Sequence, residues 1–351
     1  MNSKIHERPG VYSSYDASAA ISGGRAKKTI GIVAKAAAGE NNKAVYLSTY
    51  ADGVAAFGED TEGNTMQHLL QLLYQNGAGA VVAVSVAASA GVEDYRKAFA
   101  LLAQEAEIGM VLCDSGELTV QQALRDSVVE ASGARRERIA VVGSIGETVK
   151  ELTDRATAIN SERVVLVAGE ETGDLGGIAS AAAVAAVIAC TPDPAIPLNG
   201  AALRGLAGLK NQYTDDEIDL LVRGGVTPLE SVAGTVSPVR GITTRTLTGE
   251  AADNTWRELT TILIVDDVIP QIRNRLRSKF VRTKNTAQTR SAIRSQVIVE
   301  LEAKRAAQII DSFQDVAVTV EPEDPTVCAV AFSFTVAHGL NQIYLTAHIT
   351  V

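Results

Sequence analysis

Apolar and polar positions change their rhythm along this chain. Residues 80–86 form a short run that is apolar on both faces, the mark of a strand buried inside a parallel sheet, and 29–34, 109–113, 139–142 and 164–168 read as further strands. Between them the spacing is helical. Thr65–Gln75 puts Met66, Leu69, Leu70 and Leu73 on one face, and 95–107, 120–132, 148–159 and 176–189 read as further helices. The last of these is closed by Thr191-Pro-Asp-Pro, whose prolines forbid continuation. With a short strand at 45–48, four successive β/α units predict an open, mostly parallel sheet flanked by helices. A helix over 214–223, capped by Thr214 and with acidic residues at its positive end, precedes hairpin text at 226–248.

The final third has another rhythm. A long helix over 256–277, interrupted at Pro270, is followed by a second over 289–313, with Glu300 and Lys304 at i,i+4 spacing. Strands at 316–320 and 327–336 are joined by the turn at 321–325. Val330, Phe332, Phe334 and Val336 share one strand face, which can pack on the helices, giving an α+β unit. Residues 343–351 alternate again, with Ile343, Leu345, Ala347, Ile349 and Val351 on one side, and the sequence stops on this strand. Its backbone and apolar face therefore call for a partner, in the same chain or another. At the other end, 1–26 shows no helical period, and Val11 and Tyr12 after Pro9-Gly10 form a short extended piece. The expected organisation is an N-terminal arm (1–26), an α/β core (27–249), an α+β C-terminal domain (250–341) and a C-terminal strand arm (342–351).

Composition adds three constraints. Hydrophobic residues are 46% of the 351, enough for real cores, whereas aromatics are only 4%, which suits close α/β layering and leaves few stacking surfaces. The formal charge of −9 argues against a general nucleic-acid binder. Cys113, Cys190 and Cys328 are too scattered for a disulfide framework or a metal site, and neither a signal core nor a membrane-length apolar run is present. Against this acidic background, Arg273, Arg275, Arg277, Lys279, Arg282, Lys284, Arg290 and Arg294 occur with no acidic residue between Gln271 and Val299. Such segregation marks either a solvated face or the footprint of an anionic partner.

Candidate chemistry is sparse. Histidines 6, 68, 338 and 348 fall in the first arm, on a helix and in the terminal strands, away from the carboxyl ends of the parallel strands where open sheets place their sites. Those ends offer Ser85, Asp114, Ser144 and Glu170. Asp114 suits either a lone acid or metal ligand, or the cap of a turn. Gly143-Ser-Ile-Gly146 lacks the full dinucleotide fingerprint, and no phosphate loop occurs. No catalytic, cofactor or metal site is therefore assigned, and the alternative is a doubly wound α/β enzyme working near Asp114, Ser144 and Glu170.

Four stretches carry a family resemblance: Glu7-Arg-Pro-Gly-Val-Tyr, Pro192-Asp-Pro-Ala-Ile-Pro-Leu-Asn-Gly, Val239-Arg-Gly-Ile-Thr-Thr-Arg-Thr, and the helix holding Ile264-Val-Asp-Asp-Val. With the terminal strand, they resemble the tail sheath proteins of contractile phage tails and tailocins. The resemblance implies a structural subunit in stacked six-fold rings around a tube, contracting to drive the tube through a bacterial envelope. It implies terminal arms, here Val11, Tyr12, Ile343, Leu345, Ile349 and Val351, that add strands to a neighbour's small sheet, here Val316, Val318, Val330, Phe332 and Phe334. The implied partners are further copies of the chain, the tail tube protein, and baseplate and tail terminator proteins, with no direct nucleic acid and no membrane. The implied location is a virion tail assembled in the host cytoplasm. Because family sheaths meet the tube through their C-terminal domain, Arg273, Arg275, Arg277, Arg282, Arg290, Arg294, Lys304 and Arg305 are the candidate tube-facing cations.

Overall fold

The computed structural model describes residues 28–61 and 63–341. The α/β part runs β1 (Thr29–Lys35), β2 (Ala44–Leu47), α1 (Tyr50–Phe57), α2 (Thr65–Gln75), β3 (Val81–Val86), α3 (Val92–Gln104), β4 (Ile108–Cys113), α4 (Leu118–Gly133), β5 (Ile139–Gly143), α5 (Val149–Ile159), β6 (Val164–Ala168), α6 (Gly177–Cys190) and α7 (Asp215–Arg223). It closes with the hairpin β7 (Thr227–Val232) and β8 (Thr235–Pro238). A small hairpin, β9 (Leu247–Thr248) and β10 (Ala251–Ala252), leads to α8 (Leu259–Lys279), α9 (Ala287–Ala306), β11 (Ile310–Val320) and β12 (Cys328–Val336).

Eight strands form one sheet in the order β2-β3-β1-β4-β5-β6-β7-β8. Its inner ladders are parallel and its two edge ladders, β2 on β3 and β8 on β7, are antiparallel. The open, mostly parallel architecture expected from the apolar runs is present, because β3, β4, β5 and β6 are buried along their whole lengths. One face packs on α1, α2 and α6, and the other on α3, α4 and α5. Ala-rich α6 is buried almost all round, so small side chains let it lie close against the sheet. Helix α1 escaped the pattern reading, although Thr49 and Asp52 form a capping box at its start.

A third core joins Ile264, Val268 and Ile272 of α8, Val297 and Leu301 of α9, and Ile310 and Val316 of β11. Helix α8 is shared. Its first turn buries Leu259, Ile262 and Leu263 in the α/β core, and its later turns serve the C-terminal one. Two expectations for this region are corrected. The helix does not break at Pro270: α8 continues to Lys279, with Ile264, Val268 and Ile272 packed and Asp266 held from its side by Arg163. Proline removes one backbone donor, and these tertiary contacts outweigh that loss. Nor does the second helix reach Phe313. It is capped at Ala307, Gln308 has φ 58°, and Ile310 already begins β11.

Candidate assembly surface

The crevice that open sheets offer to ligands lies where strand order reverses, here beside β1 and β4. Asp114 lies there, buried. The Asp114 carboxylate accepts from Lys35 N (2.8 Å), Thr65 Oγ1 (2.5 Å) and Tyr95 OH (2.5 Å), tying together the ends of β1 and β4 and helices α2 and α3. Burial and then the charge of Asp114 raise the Tyr95 pKa, so the phenol stays a donor. At the end of β5 the backbone of α6 comes so near that a Cβ on Gly143 would stand 2.0 Å from the Gly177 carbonyl oxygen. The Gly177 amide in turn donates to the Ser144 carbonyl (3.1 Å). Glu170 accepts from Gly146 N and lies 3.6 Å from Lys210. Asp114, Ser144 and Glu170 thus sit in loop-fixing contacts, and Gly143-Ser-Ile-Gly146 is a tight strand-to-helix connection. His68 lies 3.6 Å from Asp60 on α2, and His6 and His348 lie outside the described residues. Among the described residues, no group of three His, Cys, Asp or Glu side chains is arranged to hold a metal, and no helix is long and apolar enough to cross a membrane.

The C-terminal ribbon is built differently. β11 and β12 pair antiparallel as a sheet of two strands, so among the described residues each has an outer edge without a ladder. The register slips by one residue between Ile310 and Ser312 and again between Gln314 and Ala317, with Asp315 at φ 55°. Each slip is a bulge that turns the next side chain over. As a result Ile310, Phe313 and Val316, spaced by three, all reach the helices. Val318 stands opposite Val330, and Phe332, Phe334 and Val336 pack on the same core. The other face of β12 exposes Ala329, Ala331, Ser333 and Thr335. The five residues expected to form a receiving sheet, Val316, Val318, Val330, Phe332 and Phe334, therefore lie together on the face toward α8 and α9, leaving strand edges rather than these side chains open.

Helices α8 and α9 meet along a polar ladder. Lys304 donates to Asp267 (2.6 Å) and to Gln271, Gln271 donates to Glu300 (3.3 Å), and Gln296 donates to Glu300 (2.7 Å), with Arg275 3.6 Å away. The i,i+4 spacing of 267, 271 and 275 against 296, 300 and 304 carries this signal, but only packing shows that Glu300 and Lys304 reach across to α8. Two expected outward cations are engaged within the chain, one buried and one half-buried. Lys304 is 5% exposed, and Arg273 is held by Glu137 at 2.6 Å. Arg305 pairs with Glu302 on its own helix.

The remaining cations form a distinct corner. Arg277, Arg282, Lys284 and Arg294 are exposed, and Arg290 is half-buried against Asn285. Arg294 donates to the Val316 carbonyl (2.8 Å), which fixes its stem on the ribbon. Elsewhere the surface cations Lys43, Arg96, Lys97, Lys150 and Arg223 each have a carboxylate within reach. The expected linking residues Val11, Tyr12, Ile343, Leu345, Ile349 and Val351 lie outside the described residues.

Comparison with known proteins gives a consistent direction. Residues 251–350 match the family described as phage tail sheath C-terminal domain. A tail sheath protein of Bacillus phage SP01 is 28% identical over 256 residues, covering 70% of this chain and 43% of that protein, so the chain spans less than half of the relative's length. Among solved structures, the helical sheath of the anti-feeding prophage in its contracted state superimposes with a TM-score of 0.74 at 15% identity, covering 98% of this chain and 99% of the other. The sheath tail protein of Desulfitobacterium hafniense gives 0.69 at 11% identity, covering 94% and 100%. The contracted PVC sheath of an extracellular contractile injection system gives 0.72 at 14% identity, covering 99% of each chain.

Proposed function

We propose that this chain, a relative of the contractile phage tail sheath proteins through its residues 251–350, is the structural subunit of a contractile tail sheath. Its copies stack in hexameric rings around an inner tube and contract to drive the tube through a bacterial envelope. The observation that carries this reading is the β11–β12 ribbon within the matched residues, a sheet of two strands whose outer edges have no ladder among the described residues. Residues 1–26 and 342–351 are the arms that add strands to such a ribbon in neighbouring subunits. Strand addition joins copies through backbone hydrogen bonds, so the bodies rotate and slide while the links persist. The work of contraction is the free-energy difference between two packings of the same subunits, with the extended one metastable.

The partners on this reading are further copies of the chain, a tube protein, and baseplate and tail terminator proteins. The place is a phage or phage-derived tail assembled in the bacterial cytoplasm. The cations left outward at the α8–α9 corner, Arg277, Arg282, Arg290 and Arg294, face an acidic tube surface. On this reading the chain divides into an N-terminal arm (1–26), an α/β core (27–249), a C-terminal domain (250–341) and a C-terminal strand arm (342–351). Electron microscopy of the purified chain, alone and co-expressed with its tube protein, tests the proposal. Long hollow helical tubes are the expected result, and a strictly monomeric protein with catalytic turnover would overturn it.

A further inference from the structure

The cations of the α8–α9 corner have neighbours of opposite charge that come from the ribbon. The turn between β11 and β12 reads Glu321-Pro-Glu-Asp-Pro325, and every residue from 321 to 327 is exposed. It is a stiff tip. Two prolines fix their φ angles, the Glu321 amide donates to the Val327 carbonyl (3.2 Å), and the Val327 amide donates to the Asp324 carbonyl (3.0 Å). Asp324 accepts from the Thr326 hydroxyl (2.6 Å) and amide (2.8 Å), which hold its carboxyl below the ordinary range and so keep it charged. Asn285 ties this tip to the corner. Its Nδ2 donates to the Pro325 carbonyl (2.8 Å) and the Val327 carbonyl (3.3 Å), and its Oδ1 accepts from Arg290 Nη1 (3.0 Å). Lys284 directly precedes Asn285 and Arg282 stands just before that, while Glu323 and Asp324 directly precede Pro325. At no more than about 3.6 Å of chain per residue, all four charges are rooted within about 11 Å of the contact, close to the Debye length at 0.1 M salt.

We infer that the acidic tip is a guard that decides what the corner binds: it turns nucleic acid and other polyanions away and leaves the corner to protein surfaces. With no acid among residues 272–298, the corner by itself would neutralise phosphates and gain affinity by counterion release. A duplex carries charge at a fixed, close spacing, one per about 1.7 Å of axis, so it cannot lie over Arg282 and Lys284 without also meeting the carboxylates of the tip. The carboxylates of a protein surface are separate groups and can be placed to meet the cations and miss the tip. The guard stands on the geometry of the corner alone. On the sheath reading, it reserves the corner for the tube.

The test is binding of a fluorescein-labelled DNA duplex to the full-length protein, read by anisotropy at low and at moderate salt. Glu321→Gln with Glu323→Gln leaves the Asp324 turn in place. This tip variant is expected to bind about threefold tighter or more at low salt, a gain that fades as salt rises. Asp215→Asn with Asp216→Asn removes the same amount of charge from exposed positions on α7, in the α/β body, and is expected to stay within about twofold of the parent. Adding Arg282→Gln and Lys284→Gln to the tip variant is expected to return its affinity to that of the parent. An equal gain from the α7 variant would reduce the effect to net charge, and a gain that survives loss of Arg282 and Lys284 would place the binding elsewhere. Either result overturns the guard, as does a tip variant that binds no tighter than the parent. Every protein is measured dispersed and without a tube, so failure leaves the sheath reading untouched.

Discussion

Arg163 donates two hydrogen bonds to Asp266, of 2.9 and 3.0 Å, across 103 positions of sequence. With Arg273 on Glu137, this pair fastens α8 to the loops that enter β5 and β6. Asp266 is almost wholly enclosed, so removing one partner strands a buried charge. Asp266→Ala is expected to cost about 3 kcal/mol in denaturant unfolding, and Arg163→Met with Asp266→Leu to recover much of it. A single substitution within error of the parent would show that the clamp is not what holds α8.

Gly143 and Gly177 allow a strand and a helix to touch backbone to backbone. A methyl group at either position meets a carbonyl oxygen well inside contact distance. Gly143→Ala is therefore expected to lower stability by about 3 kcal/mol, at the upper end of overpacking effects, while Gly91→Ala, where a Cβ meets nothing, stays near the parent in thermal melts.

The cations of the C-terminal helices divide into two groups that experiments can separate. Neutralising the outward Arg277 and Arg282 is expected to leave the unfolding free energy within about 0.5 kcal/mol of the parent and to weaken sheath-on-tube assembly, most clearly at low salt. Lys304→Met is expected to cost about 3 kcal/mol by removing a buried ammonium from between Asp267 and Gln271. Equal assembly by both proteins over a range of salt would remove the tube contact from the corner.

Several carboxylates sit below their ordinary pKa range. Backbone amides at helix starts hold down Asp52, Glu151 and Glu217. Burial opposes ionisation of Glu137, and the Arg273 hydrogen bond outweighs it. A depressed native pKa gives stability that is complete above the unfolded carboxylate value and lost as pH falls through the native one. Stability is thus expected to be flat above about pH 5 and to decline below about pH 4. Hydrogen exchange at the Thr148 and Thr214 amides, which donate to Glu151 and Glu217, would rise in step. Faster exchange at neutral pH than at pH 4, after correction for the intrinsic rate, would contradict this origin.

What the sequence determined by itself is the α/β body and the existence of the C-terminal helix pair and ribbon. Runs such as Val81–Val86 are apolar on both faces, and only a sheet covered on both sides satisfies them. Thr214 and Glu217 likewise announce a helix start through contacts three residues apart. The tertiary structure decided what depends on partners distant in sequence. Ile310 and Phe313, three apart, read as the end of a helix, and only the pairing of β11 with β12 makes them strand residues separated by a bulge. Pro270 reads as a break until Arg163 and the packed face of α8 are present. Asp114 suits both an acid and a cap in one dimension, and the three donors that settle its role come from positions 35, 65 and 95. In each case local spacing sets which side chains are available, and burial against remote elements sets which of their possible conformations is lowest in free energy.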